Sequence, residues 1–131
     1  MSRAAGYRIW ASGGALWRLR GYGPFALDGR ATGAYLGEVG IYRPDGFPEP
    51  ELGWFIVPGA EGKGYAREAA RAVMDWTRSR FGWDRLVNII EPANTRSIAV
   101  GLGLGGVIDP DLPGIDPTDV VIRHDLAPAA A

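Results

Sequence analysis

The stretch from Gly59 to Trp76, GAEGKGYAREAARAVMDW, sets three glycines and the chain's only lysine, Lys63, directly before an alanine-rich run. A flexible loop of backbone amides at the positive end of a helix is chemistry for holding an anion, phosphate above all. Spacing separates three forms of that chemistry. The magnesium-assisted phosphate loop of nucleotide hydrolases needs a hydroxyl directly after the lysine, and Gly64 stands there instead. The dinucleotide fingerprint needs G-x-G-x-x-G in the first strand-to-helix turn and an acid about twenty residues on. Here GKGYAR ends in alanine and arginine and lies mid-chain. A metal-free pyrophosphate cradle needs only the amides and the helix dipole. It stands beside the plain alternative of a glycine-rich connection that holds nothing.

The whole chain narrows the classes further. A chain of 131 residues can bury one ordinary core without covalent staples, so a single domain over 1–131 is the expectation. No cysteine means no disulfide framework, thiolate zinc site or cysteine nucleophile, and one histidine cannot build a multi-histidine site; no metal is expected. The net charge of −1 gives no electrostatic reason for a nucleic-acid or anionic-membrane partner. No apolar run approaches a membrane span, and MSRAAGYRIWASGG lacks the apolar core of a signal peptide, which makes a soluble, cytoplasmic chain the expectation. All but one of the 14 basic residues are arginine, a bias that reads as composition and not chemistry.

The elements that must position the loop follow from periodicity and breakers. Residues 9–20 give a mixed pattern in which Gly13 and Gly14 interrupt any helix, leaving 1–21 without a defined element. Pro24–Leu27 and Ala34–Tyr42 read as an antiparallel pair, with Asp28-Gly29 supplying positive-φ turn chemistry. The prolines of RPDGFPEP make a loop, and ELGWFIV (51–57) is a strand whose far end is apolar enough for burial on both faces. Tyr65–Arg80 carries the helical rhythm with its arginines, Arg67, Arg71, Arg78 and Arg80, mainly on a solvated face, and Gly82 ends it. RLVNIIE (85–91) is then a strand parallel to the one before the helix, completing a βαβ unit. A shorter helix opens near Asn94 or Thr95 and is weakened at its end by Gly101, Gly103, Gly105 and Gly106. A proline-rich loop, a last strand VVIRH and a fraying tail (127–131) close the chain. Trp54, Trp76 and Trp83 are expected in the core, and His124 is expected to be structural.

Together ELGWFIVP, GKGYAREA and EPANTRSIAV resemble, in order and spacing, the strand, cofactor loop and asparagine-serine helix start of the GNAT acetyltransferase superfamily, nearest the branch of the ribosomal-protein N-terminal acetyltransferases. The resemblance covers Tyr22 to about Gly106. It implies an α/β (α+β) fold with a mixed, mostly antiparallel sheet, flanking helices and a central splayed parallel strand pair that admits the pantetheine arm of acetyl-CoA. It maps the pyrophosphate loop onto Glu61, Gly62, Lys63, Gly64, Tyr65 and Ala66, where a side chain on Gly62 or Gly64 would hold phosphates off the amides. Phe55, Ile56 and Val57 would offer backbone to pantetheine and acetyl groups, Asn94 would meet the cofactor arm, and Ser97 would lie near its sulfur. Asn94 also reads simply as a helix cap.

The implied reaction is N-acetyl transfer to a primary amine of a protein N-terminus or small molecule. With no cysteine, direct attack is the simpler route. An amide near Phe55 or Ile56 would stabilise the oxyanion. Glu51 is the implied base through water, Glu38 of GEVG the competing carboxylate, and Ser97 a proton donor to the departing thiolate. Family members usually begin with a further strand and helices, so the N-terminus reads as shortened. No tyrosine follows the second helix to act as the acid known in other branches. Two expectations follow: either a second copy completes the site, with Trp10 and Trp17 at the interface, or the short segment folds back as a lid. A non-catalytic acyl-CoA-binding module is the alternative function.

Overall fold

The computed structural model describes residues 1–126; the expected tail, 127–131, lies outside the described residues. In chain order the elements are α1 (Arg3–Arg20), β1 (Pro24–Asp28), β2 (Tyr35–Tyr42), β3 (Glu51–Ile56), α2 (Tyr65–Phe81), β4 (Arg85–Ile90), α3 (Thr95–Gly103), β5 (Val107–Ile108) and β6 (Val120–Asp125). The strands form one sheet in the order β1-β2-β3-β4-β6-β5. All neighbours are antiparallel except β3 and β4, which the α2 crossover makes parallel.

Alternation along the strands separates the two faces. Val39, Ile41, Leu52 and Leu86 are buried with Ala70 and Val73 of α2 in the core. Aromatic rings extend this layer: Phe25 meets Trp76 edge-on at 5.3 Å, Trp76 meets Phe81 at 5.3 Å, and Phe81 stacks on Trp83 at 4.7 Å. The opposite side chains of the central strands, Glu38, Tyr42, Glu51 and Phe55, share a cavity with residues of α1.

Several expectations are corrected. The first twenty residues are not without an element, because α1 runs for 18 residues through Gly6, Gly13 and Gly14. Caps at both ends offset the glycines: Ala5 N–H donates to Ser2 Oγ at 3.1 Å, and Gly21, at φ 79°, returns its N–H to the Trp17 carbonyl. Trp17 is anchored within the chain. Its ring stands edge-on to Phe25 at 5.0 Å and its Nε1–H donates to the Pro24 carbonyl at 2.8 Å, tying α1 to the edge strand.

The hairpin between β1 and β2 has no tight Asp28-Gly29 turn. A longer loop closes through Gly29 N–H to the Ala34 carbonyl at 2.7 Å, and Gly33 supplies the positive φ. β3 is not buried on both faces at its far end, since Phe55 is 53% exposed. Arg67 is exposed as expected, and its guanidinium also donates to the Gly103 carbonyl at the end of α3.

A direct test of α1 uses Gly14, where an added Cβ meets nothing within 4 Å. Gly14→Ala should raise stability by about 0.5–1 kcal/mol, or roughly 2–4 °C in a thermal melt. A lowered midpoint would contradict a helix through this position.

Candidate active site

Hydrogen-bond parity decides which backbone groups serve the site. Val57 N–H donates to the Leu36 carbonyl, so the odd residues of β3 face β2 and the even ones, Leu52, Trp54 and Ile56, face β4. On β4, Asp84 and the even residues face β6, leaving Val87 and Ile89 toward β3. The two strands touch in register at Glu51 and Val87. In a regular parallel ladder the next bond would run from Ile89 N–H to the Leu52 carbonyl. It does not form. Ile89 N–H donates to Glu51 Oε2 at 2.7 Å, and the Leu52 carbonyl accepts from Asn88 Nδ2 at 2.8 Å. Two side chains thus satisfy the groups that the splay separates, and the gap opens beyond them at Trp54 and Ile56.

Behind Asn88, its Oδ1 lies 2.7 Å from His124 Nε2. Asn88 Nδ2 is already committed as a donor, so Nε2 carries the proton and the ring is the neutral tautomer, which burial favours by lowering the His124 pKa. His124 is structural in this geometry. Two glycines in and just after α3 have a matching purpose: a Cβ on Gly101 would stand 2.7 Å from Asn88 Oδ1, and one on Gly106 would stand 2.6 Å from His124 Cε1.

On one side of β3 a cleft of about 530 Å³ is lined by Phe55, Ile56, Glu61, Gly62, Gly64, Tyr65, Ala66, Asn94 and Ser97. Val57 and Lys63 do not line it, and Val57's N–H is used on β2. Phe55's backbone also faces β2, so the amides open to the gap are those of Trp54 and Ile56. Gly62 and Gly64 sit at φ 76° and 82°, and a Cβ on either would project into open space. Gly64 caps α2 without a side-chain acceptor, and the first helical bond starts at Glu68 N–H. The amides of Tyr65, Ala66 and Arg67 are therefore left for an anion.

Asn94 caps α3, its Oδ1 accepting from Ser97 N–H at 3.3 Å, which leaves its Nδ2 donors. Ser97 Oγ accepts Trp54 Nε1–H at 3.3 Å, so its own hydroxyl proton is free to donate. Trp54 is therefore half-buried between core and cleft. The sequence reading missed Arg67 and Arg96, which line the cleft as well; Arg96 pairs with Glu61. The signal for Arg96 was its place inside NTRS, between the two matched residues.

On the other side of β3 lies a second cavity of about 520 Å³, bounded by α1 and holding both candidate carboxylates. Glu38 Oε1 accepts the Tyr42 hydroxyl at 2.9 Å. Burial, then this bond, holds the Tyr42 pKa above its usual value, keeping the hydroxyl a donor. Burial pushes the Glu51 carboxyl up to about 7, against the pull of the Ile89 N–H, with Asp119 adding to the rise. Among the described residues no cluster of three or more His, Asp or Glu side chains is arranged to hold a metal.

Comparison with known proteins supports this geometry. A family model described as acetyltransferase (GNAT) domain matches residues 2–107. The crystal structure of an acetyltransferase from Agrobacterium tumefaciens str. C58 superposes with a TM-score of 0.89 at 37% identity, covering 95% of this chain and 72% of that one. YncA of Salmonella typhimurium, solved with its cofactor acetyl-CoA, shares the fold with a TM-score of 0.68 at 21% identity, covering 99% of this chain and 78% of that one. YkkB of Bacillus subtilis strain 168 is 31% identical over 90 residues, 66% of this chain and 52% of that protein. The chain spans about half the length of the curated relatives it matches.

Glu51 gives a pH signature. Its carboxyl ionises near its ordinary value in the unfolded chain and near 7 in the folded one, so the native state holds the proton more tightly. The stability this contributes is full below about pH 4.5 and is lost as pH rises through about 7. Glu51→Gln, which keeps an acceptor for Ile89 N–H, should match the parent in denaturant melts at pH 4 and exceed it at pH 8, by on the order of 3 kcal/mol. An equal effect at both pH values would place the ionisation elsewhere.

Proposed function

Because this chain belongs to the GNAT acetyltransferase family, we propose that it transfers the acetyl group of acetyl-CoA to a primary amine by direct attack, as one domain over 1–131. The observation that carries the reading is the splay: an open backbone edge at Trp54 and Ile56 with an uncapped helix N-terminus at one end and two carboxylates across the strand. The chain's residues fit the cofactor. The Tyr65 to Arg67 amides and Arg96 suit the pyrophosphate, the Trp54 and Ile56 backbone suits the amide-rich pantetheine arm, and Asn94 Nδ2 reaches the same cleft. No metal is called for in this reading.

Bound acetyl-CoA supplies the thioester, whose C–S bond breaks as the amine nitrogen forms the new C–N bond, with the thiolate leaving as CoA. Glu51, through water, takes the proton that an ammonium must lose first. The Ile56 N–H is the donor for charge developing on the carbonyl oxygen, in place of Phe55, whose amide faces β2. Ser97 Oγ–H supplies a proton to the leaving sulfur. A cytoplasmic setting follows from the need for acetyl-CoA, and no described helix is long and apolar enough to cross a membrane. The exposed Tyr7, Ile9 and Trp10 of α1 are the face on which a second copy would close. Sedimentation at micromolar concentration should show a dimer that Trp10→Ala weakens, and a clean monomer removes the second copy.

Calorimetry with acetyl-CoA and a thiol-release assay over an amine panel test the main reading. Binding with amine-dependent release is expected, and the rate should rise with pH through about 7 in the parent but not in Glu51→Gln. Binding without release under any condition would assign an acyl-CoA-binding module instead. Gly64 sits at φ 82°, where a β-branched substitute would be strained whatever the space. Gly64→Asn tolerates that conformation and should weaken acetyl-CoA binding about tenfold or more while moving the melting midpoint by only a few degrees.

A further inference from the structure

The second cavity has a composition that selects among amines. Six aromatic residues, Trp10, Tyr35, Tyr42, Phe47, Trp54 and Phe55, line it with Glu38 and Glu51, and its lining contains no lysine, arginine or histidine. Both carboxylates keep an oxygen available. Glu38 Oε2 accepts no hydrogen bond from the described residues, since Tyr42 uses Oε1. Glu51 gives Oε2 to Ile89, while its Oε1 lies 3.8 Å from where a Cβ on Gly53 would stand, on the cavity side of the strand. Gly53 itself is needed there: a Cβ would meet the Tyr42 ring at 2.9 Å, so glycine lets the ring lie against the strand.

We propose that this cavity is the acceptor site and takes a primary ammonium on an uncharged, aromatic-sized apolar body with no carboxylate beside the nitrogen. The proposal rests on the transferase reading and narrows its acceptor. Glu38 supplies the counter-charge that holds the ammonium, and the rings cover the body and add cation–π attraction. Glu51 takes the proton that frees the nitrogen lone pair. A free amino acid is disfavoured because its carboxylate would lie beside two acids in a cavity with no lysine, arginine or histidine side chain to pair it. A peptide N-terminus meets the rule, because its own carboxyl is an uncharged amide, and so does an arylalkylamine. A polyamine is disfavoured, since Glu51 is committed to proton transfer and Glu38 alone is left as counter-charge for two or more ammonium groups.

The test compares 2-phenylethylamine, a short amidated peptide beginning with phenylalanine, free phenylalanine and spermidine at saturating acetyl-CoA. The first or second should exceed phenylalanine and spermidine at least tenfold in kcat/KM. A smaller margin, or spermidine ahead, overturns the proposal while leaving the transferase reading intact. The ratio of peptide to 2-phenylethylamine assigns the source of the shared chemistry.

Glu38→Gln should raise KM for the better acceptor severalfold with acetyl-CoA affinity unchanged. An unchanged KM would overturn the role of Glu38 as counter-charge. If no amine releases thiol, the transferase reading fails separately. Quenching of tryptophan fluorescence by the same four ligands then decides the site: tighter binding of either neutral-bodied amine by tenfold supports it, and equal or no binding overturns it.

Discussion

Two side-chain hydrogen bonds hold β3 and β4 apart, and the site depends on them. A parallel pair that separates exposes backbone N–H and C=O groups in the middle of a sheet, where each unpaired group costs about 1–3 kcal/mol. Glu51 and Asn88 remove that cost at the root of the gap by taking the Ile89 N–H and the Leu52 carbonyl. The support extends backward through the His124 Nε2–H on Asn88 Oδ1, so that β6, β4 and β3 are linked by one chain of donors and acceptors. Asn88 is 1% exposed and His124 2%, which leaves water little access to replace either bond. The Gly101 and Gly106 backbones close over this chain at distances that no Cβ allows.

Glu51 is under two demands that conflict. As the acceptor for Ile89 it belongs among the buried polar groups that rigidify the sheet. As a base it must lose its proton near neutral pH. Burial raises its pKa to about 7, which costs stability above that pH and makes the same carboxyl suited to accepting a proton there. The geometry separates the demands by oxygen, with Oε2 at the strand gap and Oε1 beside Gly53.

Much of this architecture was legible because it is local. Tyr65–Phe81 has an apolar stripe, a glycine stop and a proline-terminated strand before it, so periodicity gave the βαβ unit and the loop that joins it. α1 was hidden for the opposite reason. Its glycines lower intrinsic helicity, while the groups that stabilise it, Ser2, Gly21 and the contacts of Trp17 with Phe25 and Pro24, lie at its ends or far along the chain. Asn88 in RLVNIIE read as an ordinary strand residue. A fully apolar neighbourhood with one amide in it is a signal of a buried polar bond, but its partners Leu52 and His124 are each 36 residues away, and spacing alone cannot name them.

The alternation of β3 explains how one strand can serve two ligands without mixing their chemistries. Trp54 and Ile56 turn their backbone groups toward the gap, where an extended amide-bearing chain can pair with them. Glu51 and Phe55 turn their side chains toward the acidic, aromatic cavity under α1, which Gly53 also lines. Trp54 and Phe55 line both spaces, so the strand is at once the partition and the meeting point. A one-residue slip of β3 against β2 would exchange the faces, sending Glu51 into the core and Leu52 to the cavity. Gly37 opposes such a slip, since a Cβ there would stand 1.9 Å from the Phe55 carbonyl oxygen, and Gly40 does the same for β1 against β2, its Cβ falling 2.4 Å from the Gly23 carbonyl oxygen. Register between β2 and β3, set by the close approach of backbones at Gly37, is thus what keeps the carboxyl on the acceptor side and the free amides on the cofactor side.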